Sequence, residues 1–107
     1  MQGVVTAMLT RAVRSTSVDG IEISKDDYIG FTSKKMRVSM PSKMGAVYAL
    51  VDAVADGNEF VIAAYGKDAT AEEREAFSAY MADKHSRIEF YEIDGGQEVY
   101  DFLLIVQ

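Results

Sequence analysis

Glu59 to Tyr65 (EFVIAAY) is a short run that stays apolar from Phe60 onward and is closed off by Gly57 and Gly66. It lacks the polar alternation of a half-solvated strand, and a continuous apolar run of this length is the pattern of a strand buried on both faces. Such a strand needs hydrogen-bonded neighbours and covering layers, so it is expected at the centre of a sheet. Helical patterns stand on either side of it. Upstream, Met44, Val47, Tyr48, Val51, Val54 and Ala55 recur at three- and four-residue spacing, which predicts a helix over residues 43–55. Ser42 is its expected N-cap and Gly57 its left-handed C-terminal cap, while Lys43, Ala46, Ala49, Asp52 and Asp56 fall on the outer face. Downstream, Thr70-Ala71-Glu72-Glu73 fits a capping box, with the Thr70 hydroxyl and the Glu73 carboxylate each satisfying the other's backbone N–H. Glu72, Glu73 and Glu75 suit the positive end of that helix, and Lys84 and His85 its negative end. Phe77, Tyr80, Met81 and the stem of Lys84 form its expected buried stripe.

The remaining elements read as strands. Residues 4–16 (VVTAMLTRAVRST) are β-branched and apolar and are expected to form one strand. Asp19-Gly20 favours a tight turn before a short strand over 21–24. Residues 28–32 and 36–40 read as a hairpin with Ser33-Lys34-Lys35 at its tip, ended by Pro41, which has no N–H to donate. Arg87 to Ile93 sets Ile88, Phe90 and Glu92 opposite Glu89, Tyr91 and Ile93, and Phe102 to Val106 closes the chain. A helix between two strands favours a parallel crossover, and the short 94–101 link permits an antiparallel return. The expectation is an α/β fold with a mixed sheet of about four to six strands and two main helices.

At 107 residues the chain is long enough for one small domain, and 49% hydrophobic with 26% charged residues is the composition of a folded one. Gly3 and the residues before it fit the stub of a cut from something longer. Cysteine is absent, which excludes disulfides, thiolate metal sites and a cysteine nucleophile and suits a reducing cytoplasm. No apolar run approaches the roughly 20 residues that span a bilayer, and no leader pattern precedes the first strand. The net charge of −6 opposes binding to nucleic acid or anionic lipid. That charge is uneven: residues 1–48 carry seven basic and four acidic groups, residues 49–107 four basic and thirteen acidic. Solvated faces of one domain account for this, as does electrostatic docking to a partner.

Residue chemistry specifies no reaction. Gly30-Phe31-Thr32-Ser33-Lys34-Lys35 has some letters of a phosphate-binding loop but not the spacing, and Gly95-Gly96 precedes no helix. His85 is the only histidine, so two-histidine metal sites are impossible. It remains open as a catalytic base or phosphate acceptor, or as a partner of the helix dipole. Asp26-Asp27 and Glu72-Glu73 fit a turn and a helix start better than acid–base pairs or hard-cation ligands, because adjacent side chains point apart. Arg14, late in an apolar strand, carries a donor fork that clamps either a neighbouring loop or a partner. Gly95-Gly96-Gln97 offers a tight backbone and one amide.

Taken in order, Ala12-Val13-Arg14 with Thr16, Asp19-Gly20, Ile23, Asp27 with Ile29-Gly30, Glu59 leading to Tyr65-Gly66, Glu72-Glu73, and Gly95-Gly96-Gln97 with Tyr100 resemble one known pattern. It is the extreme C-terminal region of the dihydroxyacetone-kinase-like fatty acid kinases of the FakA type, bacterial multidomain proteins. This chain departs from the pattern at Ser15, where aspartate is usual, at Asp26, where glycine is common, and at Glu98, where proline often follows the glutamine. The resemblance implies a C-terminal part with an α/β fold related to the DegV-type domain. It implies no catalytic residue and no cofactor in this chain, ATP and magnesium being held by a separate kinase domain. The partners it implies are a DegV-family fatty-acid-binding protein and the other domains of the parent protein. It marks Arg14, Thr16, Asp19, Gly95, Gly96, Gln97 and Tyr100 as partner-binding or structural positions. Two other classes stay open: a lipid- or small-molecule-sensing domain with a pocket between sheet and helices, and an independent enzyme using His85.

Overall fold

The computed structural model describes residues 4–32, 35–55, 57–98 and 100–107. Gly3, Ser33 and Lys34 of the expected lysine tip, and Asp56 of the first helix lie outside the described residues. Ten elements follow in order: β1 (Val5–Arg11), β2 (Thr16–Val18), β3 (Ile21–Ile23), β4 (Tyr28–Thr32), β5 (Met36–Met40), α1 (Lys43–Ala55), β6 (Phe60–Tyr65), α2 (Ala71–Lys84), β7 (Glu89–Asp94) and β8 (Phe102–Val106). Six strands form one mixed sheet in the order β5-β4-β1-β8-β6-β7, and β2 and β3 form a separate hairpin. The α/β architecture is the one expected, with the β6–α2–β7 crossover joining a parallel pair and β8 returning antiparallel to β6.

Three expectations are corrected. Residues 4–16 are two strands: β4 begins at Tyr28, opposite Arg11, so after Ala12 pairs with the Asp26–Asp27 turn the main sheet offers no further partner. The chain leaves it at Val13 and starts its own hairpin at Thr16, where Asp19 and Gly20 both hold positive φ at the turn. β6 lies second from the edge, and the centre belongs to β1 and β8. β7 and β8 are not neighbours, so Gly95-Gly96-Gln97 bridges across the end of β6 instead of closing a hairpin.

Both helices lie on one face of the sheet. Ala7 and Leu9 of β1, Val61, Ala63 and Tyr65 of β6, and Phe102, Leu104 and Val106 of β8 point to that side and are buried. α1 meets them with Val47, Leu50, Val51 and Val54, and Gly30 leaves the room that Leu50 occupies. α2 contributes Phe77 and Met81, Phe77 lying 5.5 Å from Phe102 and 5.6 Å from Phe90, ring centre to ring centre. Ala46, expected on the outer face of α1, is fully buried, while Lys84 of α2 stands in solvent, 62% exposed, instead of laying its stem on the core. The thinnest extent of the molecule, 22 Å, is that of one sheet and one layer of helices about 10 Å apart.

Candidate functional site

The C-terminal ends of β1, β6 and β7 lie at the same end of the sheet, and the 95–101 link crosses there. Gly95 and Gly96 both donate their N–H to the Tyr65 carbonyl, at 3.0 and 2.9 Å, and Gln97 donates its side-chain amide to Ala64 at 2.9 Å. The carbonyls of Gln97 and Asp101 in turn accept from Lys67 and Gly66. These glycine N–H groups are spent on the end of β6, so they do not form a phosphate cradle. Tyr100 packs its ring edge against Phe31, 6.0 Å away, tying the link to β4.

Arg14, Thr16 and Asp19 lie elsewhere, on or beside the β2–β3 hairpin. The Asp19 carboxylate accepts the Met36 N–H at 2.8 Å and so fastens the hairpin to β5. Thr16 faces Ile23 across the hairpin and is exposed. Arg14 is exposed and, among the described residues, makes no hydrogen bond or ion pair, so the loop clamp open to it is not formed. The seven marked positions thus form two separate groups.

Sequence reasoning missed a polar junction beside the link. Lys43 Nζ, only 14% exposed, lies 2.9 Å from Glu73 Oε1, 3.8 Å from Asp101 Oδ2 and 3.1 Å from the Asp68 carbonyl. It joins the start of α1, the start of α2 and the link. The one available signal was its place in the first turn of α1, where a cation is disfavoured by the helix dipole and therefore needs a stronger partner. Thr70 and Glu73 form the expected capping box, so Glu73 serves both the cap and the ion pair. Burial raises the Glu73 carboxyl, but hydrogen bonds from Lys43 and Thr70 outweigh it and leave the group below its ordinary value. At Asp101 burial wins over Lys43, and Asp68 and Glu73 add to the rise. Further along, Tyr65 donates its hydroxyl to Glu92, and Arg74 lies 5.1 Å over the Tyr65 ring. Burial first and then Glu92 push the Tyr65 hydroxyl strongly upward.

The far face of the sheet carries no helix. Strand alternation places Ile29 and Phe31, Met8, Leu103 and Ile105, Phe60 and Ile62, and Tyr91 and Ile93 on it, with Glu89 its only acid. Tyr91 and Ile93 are 54% and 51% exposed. A parallel pair such as β6–β7 is ordinarily covered on both faces, and here only one is.

A family model for the FakA-like C-terminal domain, the last part of proteins like the A component of fatty acid kinase, matches residues 1–107. The chain belongs to that family. Among curated relatives, protein YloV of Bacillus subtilis (strain 168) is 29% identical over 105 residues, covering 97% of this chain and 19% of the relative. Proteins SAR1202 of Staphylococcus aureus (strain MRSA252) and SH1689 of Staphylococcus haemolyticus, both uncharacterized, are 28% and 26% identical over 108 residues, covering 100% of this chain and 20% of each relative. The chain therefore spans about a fifth of the length of the relatives it matches.

Within the FakA-like pattern, Asp26 falls on a backbone position with φ +74°. Glycine, common there, meets that conformation without strain. Among the described residues no group of three His, Cys, Asp or Glu is placed to hold a metal, and no helix is long and apolar enough to cross a membrane. His85 ends α2 as its C-cap, donating its N–H to Met81, and its Nε2 lies 2.7 Å from Asp52 of α1. Tyr80 donates to the other Asp52 oxygen at 2.6 Å and stacks on Tyr48 at 4.1 Å, so the four side chains buckle the two helices together. An open groove beside them, lined by Asn58, Lys84, Ser86 and Arg87 among others, is polar. The space between sheet and helices, where a sensing pocket was expected, is filled by Leu50, Phe77, Met81 and Phe102, all fully buried.

Proposed function

We propose that this chain is the C-terminal piece of a longer, ATP-dependent fatty acid kinase of the cytoplasm and acts there by protein contact. In this reading ATP and magnesium are held by a kinase domain outside these residues, and no residue of this chain is catalytic. Its partner is a DegV-family fatty-acid-binding protein that presents acyl chains for conversion to acyl phosphate, and its own fold is related to the DegV-type domain. The observation that supports the reading most is the bare apolar face of a sheet with a parallel pair, in a chain that matches the C-terminal family model along its whole length. The glycine link and the Lys43 junction are spent on holding the fold, which agrees with a contact role. Calorimetric titration of the chain with a lipid-loaded DegV-family protein tests it. Saturable binding with a negative heat-capacity change is expected from burial of the apolar face. Absence of binding, or turnover of ATP by the chain alone, overturns the proposal.

A further inference from the structure

The two edges of the six-stranded sheet are finished differently. On the β5 side the β2–β3 hairpin is fastened through Asp19, the register shifts between Gly30 and Phe31, Arg37 sits in the strand and Pro41 follows it. A covering segment, a bulge, a basic residue and a proline are devices by which natural edges refuse another strand. β7 has none of them. It pairs with β6 residue for residue from Glu89 to Asp94, carries no lysine or proline, and among the described residues no strand pairs with its outer side.

Glu89 and Gly95 donate their N–H groups to Glu59 and Tyr65, on the β6 side. Alternation therefore turns the N–H and C=O groups of Phe90, Glu92 and Asp94 outward, where a new strand would meet them. The side chains beside that edge sort by face. Tyr91 and Ile93 are exposed on the helix-free side. Glu92 and Asp94 project on the other side. Glu92 also accepts the Tyr65 hydroxyl and Asp94 lies 3.5 Å from Arg74, yet both remain exposed, Asp94 at 75%.

We propose that β7 accepts an added strand from a partner protein: an extended segment with apolar side chains against Tyr91 and Ile93, alternating with basic side chains opposite Glu92 and Asp94. This rests on the reading of the chain as a contact domain and names the mode and chemistry of that contact. Backbone hydrogen bonds supply affinity in such additions and the alternating side chains supply selectivity. A second copy does not fit. Pairing β7 with another β7 sets carboxylates against carboxylates, and β5 is closed.

The test titrates the 15N-labelled chain with two synthetic peptides, acetyl-Lys-Val-Lys-Ile-Lys-Val-amide and its counterpart with glutamate for lysine. The basic peptide is expected to bind at least about tenfold more tightly, as two charge pairs replaced by two repulsions imply, and less so at high salt. Amide exchange should slow at Phe90, Glu92 and Asp94. Glu92→Lys with Asp94→Lys should reverse the peptide preference. Glu92→Gln with Asp94→Asn, which places no new cation beside Arg74, should abolish it. Equal affinity for both peptides, or slowed exchange elsewhere than β7, overturns the proposal. A chain that binds a DegV-family protein but neither peptide sinks strand addition alone. A chain that binds the basic peptide at β7 but no DegV-family protein sinks the partner assignment and leaves strand addition standing.

Discussion

Asp26 occupies the third place of the Ser24–Asp27 turn, closed by the Asp27 N–H to the Ser24 carbonyl at 3.0 Å, and its φ of +74° is the conformation that type II turns give to glycine. Aspartate tolerates it better than most residues, and its carboxylate contacts Arg11 at 2.8 Å, but both partners are more than half exposed and such a pair adds little. Asp26→Gly is therefore expected to leave stability unchanged or raise it by up to about 1 kcal/mol, and Asp26→Val to lower it by about 1–2 kcal/mol. Urea denaturation of the two variants checks the pair; a loss for the glycine variant would mean that the Arg11 contact outweighs the backbone strain. Gly66 is constrained by space and not by φ. A Cβ there would meet the Tyr100 carbonyl, which is backbone held by the link and unable to turn aside. Gly66→Ala is expected to cost about 2–4 kcal/mol, read from the same denaturation curves.

At the scale of elements, the ends of both helices carry the charge chemistry. Lys43→Met would strand Glu73 and Asp101, half-buried carboxylates at 22% and 15% exposure, and is expected to cost about 2–3 kcal/mol at pH 7. The sign with pH follows from the two shifts. Glu73, held below its ordinary 4.5, contributes stability above that value and loses it as pH falls through its lowered one. Asp101, held above 3.8, contributes below that value and opposes folding once ionised. Without Lys43 both carboxyls rise, so the deficit should shrink as pH falls toward 4; a deficit constant from pH 7 to 4 would show that the ion pairs are not its cause. At the other ends of the helices burial, and then the hydrogen bond to Asp52, push the Tyr80 hydroxyl up to about 12. Its contribution is present below pH 10 and is lost as pH rises from 10 toward 12. Tyr80→Phe should cost about 1 kcal/mol at pH 7 and flatten that alkaline loss. The elements themselves were legible in the sequence. Apolar spacing and Ser42 set α1, Thr70 and Glu73 set the start of α2, and Pro41 the end of β5. What joins them was not. Lys43 finds Glu73 and Asp101 far along the chain, and no local pattern distinguishes it from a solvated lysine. Asp52, read correctly as outward-facing, meets Tyr80 and His85 only because the crossover lays α2 beside α1.

For the whole molecule, strand order turns the uneven charge of the chain into a spatial gradient, since the basic first half supplies β5, β4 and β1 and the acidic second half β8, β6 and β7. The apolar run of β6 foretold a strand covered on both sides. It did not foretell that one cover lies outside the described residues, because period-two alternation of apolar residues on β8 and β6 is the same whether the second layer comes from this chain or another. β8 makes the difference measurable, since its two faces are chemically alike. Phe102, Leu104 and Val106 are buried under the helices, whereas Leu103 and Ile105 point to the bare face and are only partly covered. Leu104→Ala should then cost about 2–5 kcal/mol, the range for emptying a packed core site. Leu103→Thr and Ile105→Thr, which remove apolar surface from a wet face and suit a strand, should each cost less than about 1 kcal/mol while weakening binding to a DegV-family protein. Denaturation curves for the three variants at low protein concentration separate the faces. Losses at Leu103 and Ile105 equal to that at Leu104 would mean that the far face is packed in the isolated chain, and the contact surface would have to be sought elsewhere.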